Sequence, residues 1–459
     1  MKGSFRFCDF EGIKLLTNDA GRYAFLTNED FQLFVYDKLP KDSDIYQELQ
    51  NGFFCFDTSK ESYIREMVPA IRDNHSHLFT STSLFILAVT NECNNRCVYC
   101  QANGGAKTAR MSEDVASQIL CRIAESPCEN ITIEFQGGEP LLNFPVIRYV
   151  VEQAPALIPD KKIDFCLVSN LSLMTEEIAS FLATHHVNVS TSLDGPKILH
   201  DINRPCAVFH SSYDAVLAGK KLLEQHGMSI SAIQTTTKQS LPYAKAIPRE
   251  YAALGFNQVF LRPLTRLGVA GKHWSEIGYS PQEFIDFYRS SLREIIDLNL
   301  QGIPLIESHA SIILTKVLTN DHVNYMDLQS PCGATFGQLA FTASGNVYTC
   351  DEGRMLAEAG DEAFHLGNVY DSSYVDWVES PCAKAVCSAS LLEVLPHCCD
   401  CVYQPYCGIC PVVNYALNHS ISSVSHERCL IYKGIMDTLF SYLKNGSPQE
   451  VAILKGWCS

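Results

Sequence analysis

No stretch of this chain is long and apolar enough to cross a bilayer. No N-terminal segment combines a basic start, an apolar run and a small-residue cleavage site. These absences lead us to expect a soluble, cytoplasmic protein without a membrane partner. Basic residues are also scarce: 35 Lys and Arg stand against 51 Asp and Glu, a formal net charge of -16. Nucleic acid would need a basic face, so it is excluded as the main partner. Low-complexity tracts and solenoid repeats are missing too. What is present is 459 residues, 46% of them hydrophobic, too many for one core and ample for two or three domains.

Cysteine is abundant, with 20 in the chain. Without an export signal a disulfide framework is not expected, because cytosolic thiols stay reduced. The cysteines are clustered, with three near position 95 and ten between 332 and 429. Clustering favours metal ligation. The remaining thiols, Cys8, Cys55, Cys121, Cys128, Cys166, Cys206 and Cys458, read as small core residues or incidental ones.

Along the chain, residues 1–80 read as a small module. FRFCDFEG, IKLLTNDAG and RYAFLTNED are short strands, followed by the helical NEDFQLFVYDKL and DSDIYQELQNG, which ends at Gly52. From Ser83 the pattern alternates apolar runs with amphipathic ones. SLFILAV, NITIEFQGGEP, KIDFCLVSN, VNVSTSLDG, SISAIQTTT and NQVFLRPL are the apolar runs, each followed by a helical segment. Thr175 is expected to cap the helix TEEIASFLATHH, and Pro248 to interrupt YAKAIPREYAALG. Six strand–helix units with largely apolar strands predict a parallel sheet covered by helices, curled into a partial (β/α)6 barrel. The core is expected over 81–310. From about Asp327 periodicity fades and Cys, Gly and Pro become dense, so 325–459 is expected to be organised by metal.

The stretch ECNNRCVYCQANGG, Glu92 to Gly105, carries Cys93, Cys97 and Cys100 just past the first barrel strand, with no fourth cysteine near. Chemistry in such folds sits at the carboxyl ends of strands. Three thiolates suit a four-iron cluster with one iron left open. The bland alternative is a zinc site completed by a remote group such as His75 or His77. QGGEP follows the second strand, STSLDGP the fourth, and HDINRP comes next, with Arg204 twelve residues past Ser192. Further along, Cys332 precedes Gly345 and Cys350 as G-x4-C. Cys398, Cys401, Cys407 and Cys410 form C-x2-C-x5-C-x2-C, and Cys429 closes the series.

From Ser83 to about Leu264 these motifs resemble the radical S-adenosylmethionine (SAM) superfamily. The resemblance implies that Cys93, Cys97 and Cys100 hold a SAM-binding [4Fe-4S] cluster. It makes Tyr99, Gly138, Glu139, Asn170, Ser192, Arg204 and Leu261 cofactor contacts, with Glu139 meeting the methionine ammonium and Ser192 the ribose; a surface arginine and a core leucine are the other readings of Arg204 and Leu261 taken alone. Electron transfer to SAM would then yield a 5′-deoxyadenosyl radical that abstracts hydrogen. The C-terminal series resembles the SPASM extension of peptide maturases, which carries two auxiliary four-iron clusters. That implies Cys398, Cys401, Cys407 and Cys429 for one cluster, and Cys332, Cys350 and Cys410 for the other. Two departures are visible. Only Gly408 and Ile409 separate Cys407 from Cys410, one residue fewer than usual, and Gln338 stands where some relatives have a ligand. The second cluster is therefore left open or completed by Cys382, Cys387, Cys399 or His397.

In sulfatase-maturing relatives the acid at the place of Asp351 is proposed as a base; a turn acid or substrate-binding carboxylate are its other readings. Arg262 is a candidate for the cavity, and a salt-bridged barrel arginine is its other reading. The N-terminal module resembles winged-helix-like peptide-recognition elements, and a packing extension is its alternative. The whole arrangement most resembles the radical SAM maturases of the His-Xaa-Ser peptide systems. It implies a precursor peptide substrate, an electron donor such as flavodoxin or ferredoxin, and a second radical SAM maturase as a further partner. Two rival functions stand beside crosslinking or oxidation of a peptide: oxidation of Cys or Ser to formylglycine, and a zinc-stabilised peptide-binding scaffold without chemistry.

Overall fold

The computed structural model describes residues 1–101, 108–319, 321 and 328–458. The ANGG end of the cysteine loop and the expected boundary near 325 lie outside the described residues. Three strands, β1 (Arg6–Phe10), β2 (Ile13–Thr17) and β3 (Tyr23–Leu26), form an antiparallel sheet in that order. Helices Asn28–Val35 and Asp44–Asn51 follow as read from the sequence. A further helix, Lys60–Asn74, escaped that reading. Pro69 inside it argues against a helix, yet Ser59 caps its start and Tyr63 and Met67 bury one face.

The six apolar runs form β4 (Leu84–Thr90), β5 (Asn130–Gly137), β6 (Lys162–Val168), β7 (Asn188–Ser192), β8 (Ile230–Thr235) and β9 (Gln258–Arg262). They are parallel and adjacent in sequence order. β4 is buried along almost its whole length, as a strand covered on both faces must be. Thr175 accepts from the Ile178 amide and caps its helix. Pro248 falls in the first turn of helix Ala246–Ala253, where its missing N–H has no helical partner to lose.

The sheet runs past the barrel at both ends. β10 (Ile306–Glu307) adds to β9, and β11 (Gln338–Phe341) pairs parallel with β4. β12 (Asn346–Tyr348) and β13 (His365–Asn368) continue antiparallel, giving ten strands in all. The cysteine-rich region therefore shares its backbone ladder with the barrel. Phe341, Val347 and Trp377 join Phe85, Leu87 and Ile133 in one buried cluster. A second cluster unites Leu261, Phe284, Leu292, Ile313 and Leu439, where helix Pro281–Leu300 packs against His426–Asn445. Among the described residues no helix is long and apolar enough to cross a membrane.

Candidate functional site

The loop after β4 is held in place by its neighbours. The Arg96 amide donates to the Pro205 carbonyl at 2.7 Å and the Val98 amide to Asn203 at 2.9 Å. The HDINRP segment is thereby laid along the cysteine loop, and Arg204 Nη1 comes 3.9 Å from Cys97 Sγ. On the other side the Gly138 and Glu139 amides donate to the Thr90 and Glu92 carbonyls, both at 2.8 Å. A Cβ on Gly137 would lie 2.0 Å from the Thr90 oxygen, and one on Gly138 2.1 Å from the Glu92 oxygen. The paired glycines are thus required by the cysteine loop itself, whose backbone no side chain could pass.

Cys93, Cys97 and Cys100 are brought together in the wall of an open cavity of about 1020 Å³. Burial pushes the Cys97 thiol up to about 12, against the lowering effect of Arg204, and Cys93 up to about 11. Tyr99, Gly138, Asn170, Ser192 and Arg204 also line the cavity. So do Gln136, Thr235, Arg262, Thr265 and, from the C-terminal region, Met355. Leu261 does not: its side chain is fully buried in the core, because alternation along β9 turns Phe260 and Arg262 the other way. His75 and His77, the remote zinc candidates, lie elsewhere. His75 faces Glu393, and His77 contacts the Ser330 carbonyl.

Glu139 is buried, and burial pushes its carboxyl up. It accepts from Ser169 Oγ at 2.7 Å, the Asn170 amide at 2.8 Å and the Leu141 amide at 3.0 Å. The first and third meet Oε1, so Oε2 keeps capacity for a second donor. Sequence reasoning passed over Asp194, the acid of SLDG. It is fully buried, accepts from Tyr99 OH at 2.7 Å and stands 3.2 Å from Arg204 Nε. Arg204 in turn lies over the Tyr99 ring, 5.2 Å from its centre. A buried arginine needs an anion, and the acid of SLDG was one available signal.

Two further thiol sets converge. Cys332, Cys350 and Cys410 are all buried within one apolar cluster with Leu267, Phe364 and Val412. Burial, then Glu352 and the other two thiols, push Cys350 well up. Cys398, Cys401, Cys407 and Cys429 line a separate cavity of about 490 Å³. Burial pushes Cys407 up to about 12, reinforced by the other three thiols. His397 lines this same cavity and Cys399 adjoins it. Cys382 and Cys387 lie on helix Pro381–Ala389, where Cys382 Sγ donates to the Ala363 carbonyl at 3.6 Å. Gln338 opens β11. Asp351 begins helix Asp351–Glu358, and its Oδ1 accepts from Arg354 Nε and Nη2 at 2.8 and 2.6 Å. Asp351 is not in the cavity wall; Met355, one turn on, is.

Among the described residues no three His, Cys, Asp or Glu groups are spaced to hold one metal ion. A single zinc draws its thiolates to about 2.3 Å from one point. An iron–sulfur cube spreads them around a larger body, and converging all-thiol sets fit that donor chemistry.

Residues 87–237 match the family described as the radical SAM superfamily. This part of the chain is a radical SAM domain. The chain is similar to an uncharacterized protein of Methanocaldococcus jannaschii, MJ0907, 30% identical over 38% of this chain and 60% of that one. It spans only about 60% of the first curated relatives it matches. It is also similar to the cysteine-type anaerobic sulfatase-maturating enzyme of Clostridium perfringens, 23% identical over 65% of this chain and 80% of that enzyme. Among solved structures, anSMEcpe with bound AdoMet superposes with a TM-score of 0.67 at 17% identity, covering 82% of this chain and 99% of that one. Streptococcus suis SuiB bound to its precursor peptide SuiA gives 0.56 at 14%, covering 93% and 98%. At such identities the superpositions establish the fold: the radical SAM domain sits in a mixed α/β architecture shared with both.

Proposed function

We propose that the chain is a radical SAM peptide maturase that modifies a ribosomally made peptide by hydrogen abstraction, forming a crosslink or a related oxidation. One observation supports this most. The fold gathers Cys93, Cys97 and Cys100 over an open cavity and also gathers two other thiol sets, one of which starts the helix that sends Met355 into that cavity. The relatives add weight, since one matures sulfatases and one structural neighbour, SuiB, is bound to its precursor peptide.

In this reading Cys93, Cys97 and Cys100 hold a [4Fe-4S] cluster and leave one iron for SAM. When bound, cluster and SAM supply the one-electron chemistry that makes a hydrogen abstractor. The chain's own residues bind and orient. Gly138, Asn170 and Ser192 form the cofactor wall. Glu139 offers Oε2 to an ammonium, and the Tyr99–Asp194–Arg204 group fixes the cysteine loop beneath. Cys398, Cys401, Cys407 and Cys429 hold an outer auxiliary cluster; Cys332, Cys350 and Cys410 hold an inner one. The working divisions are 1–80 for peptide recognition, 81–310 for the radical SAM core and 325–459 for the auxiliary clusters. A flavodoxin or ferredoxin donor and a second maturase complete the proposal.

The test is a count of iron, sulfide and zinc per chain after anaerobic reconstitution. Replacing Cys93, Cys97 and Cys100 together by Ala should lower iron by roughly one four-iron cluster and leave about two. Zinc in place of iron, or no loss in the variant, overturns the reading. Sulfatase-type oxidation of one Cys or Ser is the second reading, favoured by the Clostridium relative and by Asp351, whose Oδ2 takes no bond from Arg354. Product mass separates the two: loss of two hydrogens without an aldehyde, or an aldehyde that reacts with hydrazides.

A further inference from the structure

The outer thiol set is ringed by cations in a chain whose net charge is -16. Arg428 and Lys433 line its cavity. Both lie on helix His426–Asn445, and Lys433 follows Cys429 by four residues, so thiol and ammonium share one face. Lys316 approaches Cys407 from a different element, helix Ser308–Leu318. Lys316 is the unusual member. It is only 3% exposed, and among the described residues no carboxylate pairs with it; its ammonium donates to the Leu328 carbonyl. A lysine so placed is expected to have an anion beside it. The nearest anionic chemistry is the thiolates of the outer set.

The inner set has the opposite surroundings. Glu352 faces Cys350, and the neighbouring Arg354 is already held by Asp351 and Glu358. Leu267, Phe364, Val386 and Val412 close the remainder.

We propose that Lys316, Arg428 and Lys433 are positioning residues for the outer auxiliary cluster that make it easier to reduce than the inner one. This rests on the iron–sulfur reading given above. Reduction adds one negative charge to a thiolate-bound cluster, and nearby cations favour the more negative state; burial at Lys316 keeps solvent from screening that effect. The electron in question is a single one, supplied in the test by dithionite.

The test uses the reconstituted full-length protein with Cys93, Cys97 and Cys100 replaced by Ala, so that only the auxiliary clusters titrate. Iron and sulfide are counted first. Fewer than about two four-iron clusters in this background overturns the cluster reading and this proposal with it. With both loaded, potentials are read by electron paramagnetic resonance during a dithionite titration. The outer signal is identified as the one lost in Cys398→Ala. It should have the higher midpoint in the parent. Lys433→Met should lower it by about tenfold in the one-electron equilibrium, or about 59 mV, while leaving the inner midpoint in place. Lys433→Arg should restore it. Lys316→Met should act in the same direction. If it fails to load, Lys433, partly exposed in the cavity wall, decides alone. An outer midpoint below the inner one, or one that does not move in a fully loaded Lys433→Met protein, overturns the proposal and leaves the peptide-maturase reading standing.

Discussion

Asp194 shows what one carboxylate does for the site. It is fully buried and binds Tyr99 and Arg204, whose backbone neighbours pin the cysteine loop. Asp194→Asn keeps the shape and removes the charge. Arg204 is then left buried without its anion, a loss of about 3–5 kcal/mol. Calorimetric unfolding should show that drop, and iron retained at the first cluster should fall, while Asp194→Glu should recover part of both. An unchanged transition would mean that Arg204 finds its anion elsewhere. The residue was in view in the sequence as part of SLDG, but its role was not. An acid gains meaning only with its cation, and Arg204 lies ten residues on and across a helix. Leu261 lies in the core, since strand alternation turns Arg262 to the cavity side of β9 and Leu261 away from it.

At the level of elements, the six parallel strands were legible because each is an apolar run closed by turn residues, and burial on both faces requires such runs. Strands β11 to β13 were not, being two hairpin arms and a short edge of three or four residues each amid cysteines. The helix Lys60–Asn74 was hidden by Pro69. That helix ends at His75, which faces Glu393 at 3.7 Å. Glu393 also accepts from Ser330 Oγ and Gln404 Nε2, both at 2.8 Å. The Glu393 carboxylate raises the pKa of His75, against the lowering effect of burial. Burial alone would raise Glu393, yet His75 and its hydrogen bonds hold it down to about 2. A histidine raised in the folded state stabilises it fully below the ordinary value near 6.5 and loses that contribution as pH rises through the folded value. Glu393 stabilises above about 4.5 and loses its share as pH falls toward 2. The contact is therefore strongest near pH 5 to 6. His75→Gln should lower the thermal midpoint there and have little effect at pH 8.5, with a difference under about 1 kcal/mol because both groups reach solvent. Equal destabilisation at both pH values would place the role of His75 in packing alone.

Across the whole molecule, the N-terminal module is docked on the C-terminal region. Thr17 Oγ1 donates to the Val402 carbonyl at 2.6 Å, Tyr406 OH to Gly21 at 3.0 Å and Arg6 Nε to Cys399 at 2.6 Å. Two of these bonds end on backbone carbonyls of the outer thiol loop, and the third runs from that loop to a carbonyl of the module. Phe440 is the apolar centre of the joint. It is 1% exposed and meets Tyr23 and Phe25 edge-on at 5.4 and 6.3 Å. Tyr403 and Tyr406 contact it from the thiol side, both at 5.9 Å. Phe440→Ala removes the ring that both sides share, at about 3–5 kcal/mol. If the joint opens before the barrel does, hydrogen exchange should speed up in β2 and β3 and around 401–407, and remain slow in β4 to β6. Limited proteolysis should then release a fragment ending near residue 80. Uniform acceleration across the barrel strands would instead mean that module, barrel and thiol loops unfold as one cooperative unit, with Phe440 part of a single core.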